Sequence, residues 1–136
     1  MLVRNVRHFL VVLASWLTVN YYRFMGIKIG KGTYISMNAH LDVRRGKISI
    51  GNNVDIGKGA CILSHTGYQE VKEGQITAIE DNVRIFVNSI ILPGVKIGRN
   101  SIVGAGAVVM RDIPPNVVVL GNPARVVKHL DIEEQF

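Results

Sequence analysis

The sequence predicts an all-β solenoid preceded by an N-terminal helix. Aliphatic residues recur every six positions from residue 29 onward, and a small or β-branched residue follows nearly all of them four positions later. The first 25 residues follow a different pattern. A period of six matches neither the 3.6-residue period of a helix nor the two-residue alternation of a strand. It is typical of a solenoid in which six residues make a short strand and a turn, and three hexads close one triangular coil.

Residues 1–26 are the first predicted unit, an apolar and basic helix. An apolar run of 11 residues, 9–19, lies between arginines. It is shorter than the about 20 residues that span a bilayer. A helix would carry one narrow polar stripe, made of Arg4, His8, Ser15 and Thr18. We expect residues 1–25 to contact a membrane surface; the alternatives are a helix that packs on its own domain or on a neighbouring subunit, and a cleaved signal peptide.

The composition excludes several classes of protein. The chain has 136 residues, a net charge of +6 and one cysteine, so an internal disulfide framework is excluded. Residues 1–41 hold five basic and no acidic residues, whereas residues 42–136 hold 11 basic and 10 acidic ones. The excess positive charge lies beside an apolar helix, and the basic residues there do not alternate with aromatic ones in a repeat. No nucleic-acid partner is therefore expected.

Residues 27–130 are the second predicted unit, and residues 131–136 form a tail. The hexads are in register over 29–41, 50–62 and 79–109. Between these runs the chain gains three residues after Leu41 and five after Ile62. Insertions in a solenoid leave it as surface loops, which often carry function.

Three segments near the C-terminus carry a family resemblance. They read ILPGVKIG over 91–98, VGAGAVVMRDIPPN over 103–116 and GNPARV over 121–126. With the hexads, they make the chain resemble the hexapeptide-repeat acyltransferase superfamily, in the branch of the galactoside, maltose, serine and exopolysaccharide O-acetyltransferases. The resemblance implies a left-handed parallel β-helix of about five coils. It also implies a homotrimer that binds acetyl-CoA in the cleft between two subunits.

His65 is the candidate catalytic residue. Acetyl transfer from a thioester to a hydroxyl needs a base, and histidine suits that role near neutral pH. His65 stands at the mouth of the larger insertion, where the resemblance implies the catalytic histidine, whereas His40 occupies an ordinary corner position. A carboxylate or a backbone oxygen should orient the ring; the candidates are Glu70, Glu73, Asp55 and a carbonyl. Within the insertion, Thr66, Tyr68 and Glu70 are expected to meet the acceptor.

The resemblance also implies the residues that contact CoA. The segment 83–88 would supply an oxyanion donor, but it reads Val-Arg-Ile-Phe where relatives read Val-Trp-Ile-Gly. The side chain of Phe86 should point outward, into a groove or toward a neighbour. Arginines can grip the CoA phosphates, and small residues leave room for the pantetheine arm. The expected contacts are Arg84, Phe86, Val87, Gly104, Ala105, Arg111 and Arg125.

Taken together, these features predict a cytoplasmic acetyl-CoA-dependent O-acetyltransferase, peripheral on the inner face of the cytoplasmic membrane. Its acceptor would be a sugar hydroxyl of a capsular, exopolysaccharide or O-antigen precursor. A serine-type or other small-molecule acyltransferase and a non-catalytic scaffold subunit are the alternatives. No metal is expected, because a carbonic-anhydrase-like site would need three histidines and the repeats hold only His40 and His65.

Overall fold

The computed structural model describes residues 1–44, 47–65 and 74–131. One helix, α1 (Leu2–Phe24), precedes the strands. Sheet A contains β1 (Lys28–Ile29), β4 (Lys47–Ile50), β7 (Ile76–Ile79) and β10 (Lys96–Ile97). Sheet B contains β2 (Tyr34–Ile35), β5 (Asp55–Ile56), β8 (Arg84–Ile85), β11 (Ile102–Val103), β13 (Val117–Leu120) and β14 (Arg125–His129). Sheet C contains β3 (His40–Leu41), β6 (Cys61–Ile62), β9 (Ile90–Ile91) and β12 (Val108–Val109).

These strands wind into the predicted left-handed parallel β-helix. Successive strands pass from sheet A to B to C, and each pairs in parallel with the strand one coil away. There are four complete coils. A partial fifth follows, in which Ile113 bridges to Ile97 and β13 pairs with β11.

The six-residue period reflects the stacking of identical positions. The strand pairings place each aliphatic residue directly over its counterpart, for example Leu41 over Ile62 and Ile62 over Ile91. Nearly all of these residues are fully buried, and the small residues four positions later fill the corners. Because most of the strands have only two residues, this continuous apolar column is what holds the coils together.

Both insertions leave the prism at the same corner, where sheet C turns into sheet A. We call it the C–A corner; its described residues are 42–44, 63–65, 74–75, 92–95 and 110–112. Part of each insertion also lengthens the following strand, because Lys47 and Ile48 of β4 pair with Ile76 and Thr77 of β7. The inserted sequence therefore contributes to strands of the prism.

The two ends of the prism are covered differently. At the C-terminal end, β14 folds back antiparallel on β13, with a register shift between Val118 and Val119. At the N-terminal end, α1 packs on the first coil through Ser15, Val19 and Tyr22. α1 is continuous beyond the apolar run, and by length and composition alone it could cross a membrane, a property that signal sequences share.

Candidate active site

The C–A corner brings together Asp42 and His65 from two successive coils. Asp42 follows β3 directly, and His65 stands three residues after β6, the strand paired with β3. Asp42 Oδ2 lies 2.5 Å from His65 Nδ1. The Asp42 side chain is 1% exposed, whereas that of His65 is 12% exposed and so reaches the surface at its other edge.

Asp42 is held in its ionised form. Burial by itself raises the pKa of the carboxyl, but hydrogen bonds outweigh it and lower the pKa to about 2. The donors are the amide and guanidinium of Arg44, both 3.2 Å from Oδ1, the Ser64 hydroxyl, 3.1 Å from Oδ2, and His65. Because a carboxylate can only accept, Nδ1 of His65 carries the hydrogen that faces it. In the neutral ring, Nε2 is then left with a free lone pair.

Thr77 holds the backbone at the start of the larger insertion through hydrogen bonds. Its side chain is buried, and its hydroxyl donates to the carbonyl oxygen of Leu63 at 2.8 Å. The same hydroxyl accepts the amide of Gly94 at 2.9 Å. The strand end that precedes His65 is thus connected to both ends of the third coil, which fixes the backbone from which the imidazole projects.

A mostly apolar groove lies at a different corner, where sheet B turns into sheet C. We call it the B–C groove; it is lined by Tyr34, Asp55, Ile56, Gly57, Ile85, Phe86, Val87 and Ala105. The Phe86 ring points outward as expected, since Phe86 is 47% exposed while Val83 and Ile85 are fully buried. Phe86, Val87 and Ala105 therefore share one surface.

The other expected CoA contacts are scattered. Arg84 lies on β8 with Nε 3.8 Å from Asp55 Oδ2, next to the B–C groove. Gly104 is buried and does not line the groove. The site is crowded, since a Cβ added at this position would come within 2.0 Å of a Leu120 methyl group. Arg125 pairs with Leu120 in the terminal hairpin, above the same corner, whereas Arg111 is exposed at the C–A corner.

The chain matches a family model described as bacterial transferase hexapeptide (six repeats) over residues 77–111. It is 38% identical over 117 residues to YvoF of Bacillus subtilis (strain 168), a protein with a provisional acetyltransferase designation, covering 85% of this chain and 66% of YvoF. A crystallised maltose O-acetyltransferase from Clostridium difficile 630 is 33% identical, with a TM-score of 0.57, covering 76% of this chain and 67% of that one.

The chain belongs to the hexapeptide-repeat acyltransferase superfamily. A hexapeptide-repeat acetyltransferase from Vibrio cholerae, 35% identical with a TM-score of 0.67, covers 77% of this chain and 63% of its own. That protein has also been crystallised with acetyl-CoA. The chain thus spans about two thirds of the length of these relatives.

Sequence reasoning missed the residue that orients the histidine of this hexapeptide-repeat protein. Asp55 lies on sheet B beside Arg84, away from His65, and Asp42 takes the orienting role instead. Glu70 and Glu73 lie outside the described residues, as do Thr66, Tyr68 and the rest of the acceptor loop. One signal pointed to Asp42: it is the first acid in the chain and stands where the first insertion begins, in register with the start of the second.

The site also raises the questions of whether Cys61 is reactive and whether a metal ion could bind. Burial raises the pKa of the Cys61 thiol and the charge of Asp42 raises it further, so this cysteine is protonated at neutral pH and is no nucleophile. Among residues 1–44, 47–65 and 74–131, no three His, Cys, Asp or Glu side chains are grouped to hold a metal ion.

Proposed function

We propose that this protein is an acetyl-CoA-dependent O-acetyltransferase in which His65 is the general base. The observation that carries the proposal is the Asp42–His65 pair, with a buried ionised carboxylate behind an imidazole whose other edge reaches the surface. The same arrangement of base and orienting carboxylate activates hydroxyl groups in other acyl-transfer enzymes. The relatives named as acetyltransferases and the acetyl-CoA complex of one of them support acetyl-CoA as the donor.

The reaction follows from the protonation pattern of the pair. The oxygen of the acceptor hydroxyl attacks the thioester carbonyl carbon while Nε2 of His65 takes the hydroxyl proton. Asp42 stabilises the imidazolium that forms. The carbonyl oxygen becomes an oxyanion, for which backbone N–H groups are the natural donors. When the intermediate collapses, the carbon–sulfur bond breaks and the CoA thiolate takes the proton from His65. The products are the acetyl ester and CoA.

We further propose that the site is completed by a second copy of the chain, in a homotrimer. His65 lies at the C–A corner and the B–C groove at the opposite edge of sheet C, so one chain does not bring the two together. A three-fold arrangement of prisms brings the C–A corner of one copy against the B–C groove of the next. The apolar surface of Phe86 and Val87 then becomes part of a cleft for the pantetheine arm.

The proposed acceptor is a sugar hydroxyl of a capsular, exopolysaccharide or O-antigen precursor. The similarity to a maltose O-acetyltransferase supports a saccharide. A hydroxyl acceptor also suits the chemistry of the pair, because the hydroxyl proton must be removed during attack and His65 Nε2 is available to take it.

Replacing the base tests the proposal. We expect His65→Ala to lower kcat for acetyl transfer to a panel of glucose, galactose and maltose acceptors by about 10²–10⁴-fold. The Kd for acetyl-CoA should not change, because His65 does not line the groove. CoA release followed by chromatography measures the rate, and His40→Ala, which changes an exposed histidine on β3, is the matched control. A His65→Ala protein as active as His40→Ala would refute the proposed base and favour a scaffold subunit or another mechanism.

A further inference from the structure

The face of α1 that points away from the β-helix is apolar except at Asn20. Residues at three- and four-residue steps make up this outward face: Leu2, Val6, Leu10, Leu13, Leu17, Asn20 and Phe24. Its six apolar residues are exposed, from 39% at Leu13 to 89% at Phe24. A stripe of this size on a helix surface marks a site that is covered by a partner or a membrane.

Most polar residues of α1 point the other way. Ser15 and Tyr22 lie on the side of the helix that carries Arg4 and His8, and both are buried against the first coil. α1 therefore has the reverse polarity of an ordinary surface helix, whose apolar face packs on its own domain. The polar stripe seen in the sequence is thus in part the face that packs on the first coil.

α1 lies beneath the first coil, across the end of the prism. The amides of Tyr34 and Ser36 donate to the second coil, so the amide of Ile35 between them points away from it. That amide donates to the Ser15 hydroxyl at 3.0 Å, and the amide of Leu41 donates to the Tyr22 hydroxyl at 3.2 Å. The outward face of α1 is thus the end surface of the molecule.

Charge identifies what covers this end. Residues 1–41 include Arg4, Arg7, Arg23, Lys28 and Lys31 and no acid. Packing α1 on the α1 of another copy would set arginine against arginine with no compensating carboxylate on either helix. Anionic lipid headgroups supply that missing negative charge, and acyl chains cover the leucines.

The docked helix lies on the bilayer and does not cross it. From Ser15 onward it is held against the first coil, so only residues 2–13 are free of the protein. Twelve helical residues extend about 18 Å, which is less than the about 30 Å of hydrocarbon in a bilayer.

We propose that the outward face of α1 is a membrane-docking surface that seats the N-terminal end of the β-helix on an anionic bilayer. Trp16 and Tyr21, both more than half exposed, flank the apolar stripe as aromatic residues do at membrane interfaces. The prism then stands on the membrane through α1, with its first coil directly above the helix. In a trimer with parallel prisms, three such helices would face the same bilayer, which strengthens binding by avidity.

This orientation deepens the proposed function, on which the following step rests. His65 is on the second coil, about 5 Å above the first. Because α1, about 10 Å thick, lies between the first coil and the bilayer, the candidate base would act about 15 Å from the membrane surface, within reach of a saccharide attached to a lipid. A lipid-linked saccharide is thus the acceptor class that fits both the site and the docking surface.

Vesicle flotation tests the docking surface. We expect the full-length protein to float with vesicles of phosphatidylcholine and phosphatidylglycerol in a 3:1 ratio. We expect it to stay in solution with pure phosphatidylcholine, and its binding to weaken as salt rises. Leu10→Glu with Leu17→Glu should lower the partition coefficient at least about tenfold, because two charges enter the apolar face. Val127→Glu on β14 is the matched control, since Val127 is 56% exposed, close to Leu10 at 56% and Leu17 at 55%, at the other end of the prism.

Two results would overturn the docking proposal. One is a full-length protein that does not float with anionic vesicles at low salt. The other is a double variant that floats as well as Val127→Glu. If the wild type does not float and the double variant has half the wild-type mass in sedimentation, the outward face contacts a second copy instead. Circular dichroism checks that the variants fold. His65→Ala should float like the wild type, so a failure of the base and a failure of the docking surface are distinguishable.

Discussion

At the scale of single residues, the charge of Asp42 determines what His65 can do. Asp42 is almost fully buried, yet its pKa is about 2, because four hydrogen-bond donors surround its two oxygens. An ionised partner fixes the hydrogen on Nδ1 and leaves Nε2 to accept a proton. Had the carboxyl been protonated, it would itself donate, and the ring would have the opposite tautomer.

Asp42→Asn is expected to lower kcat by about 10²–10⁴-fold while the KM for acetyl-CoA stays within a factor of about three. An amide in place of the carboxylate allows the wrong tautomer and cannot stabilise the imidazolium. Steady-state kinetics on the same acceptors measure this split, and Asp81→Asn is the control, because Asp81 is exposed where sheet A turns into sheet B, away from both His65 and the B–C groove. Equal losses in Asp42→Asn and Asp81→Asn would contradict a positioning role.

The same substitution has a pH signature in stability. The pKa of Asp42 is lowered from 3.8 to about 2 on folding, so its contribution to stability is complete above pH 3.8 and disappears as the pH falls through 2. The contribution is about 2 kcal/mol at neutral pH. The melting temperature of Asp42→Asn, taken at one protein concentration, should thus lie below that of the wild type at pH 7 and converge with it toward pH 2.

His65 could be chosen from the sequence, whereas Asp42 was marked there only by its position at the start of the first insertion. A histidine at the mouth of an insertion is visible in a linear pattern, whereas the pair depends on Leu41 lying over Ile62 one coil away. Leu41 and Ile62 are 21 positions apart rather than the 18 of three hexads, because the first insertion lies between them. The carboxylates favoured from the sequence were near in the chain or in the wrong sheet.

At the scale of elements, the hexads predict the strands well, because each one is defined by a buried aliphatic residue and a small corner residue. The ends of the prism were not predictable in this way. An isolated first coil leaves amides unpaired, and the sequence does not say what satisfies them. Here Ser15 and Tyr22 of α1 do so, which turns part of the polar stripe inward.

Tyr22→Phe is expected to destabilise the protein by about 1–3 kcal/mol, because it leaves the amide of Leu41 and the carbonyl oxygen of Ala39 without the hydroxyl that bonds both. The melting temperature should fall by several degrees. Tyr21→Phe is the matched control: Tyr21 is the next residue and is 56% exposed, and both variants keep the edge-on contact of the two rings at 5.1 Å. If the two variants melt alike, α1 does not cap the first coil through this hydroxyl.

At the scale of the whole molecule, the prism separates the parts that the chemistry must combine. His65 is at the C–A corner of the second coil, the apolar groove is at the B–C corner, and α1 closes the N-terminal end. A short solenoid has flat sides that neighbouring copies can cover, and a three-fold arrangement joins one corner to the next. The coil geometry could be predicted from the six-residue period. The corner at which each insertion leaves the prism could be located only once the register of all three sheets was known.

Complementation between two inactive variants tests the central claim, that His65 of one copy acts at the groove of another. His65→Ala removes the base, and Ala105→Trp fills the groove that Ala105 lines. Co-expressed with different tags and purified through both, the mixed trimers pair an intact His65 with an intact groove at one site in three. We expect acetyl transfer at about one third of the wild-type rate, although each variant alone is inactive. Mixed trimers as inactive as the two parents would contradict a site shared between copies.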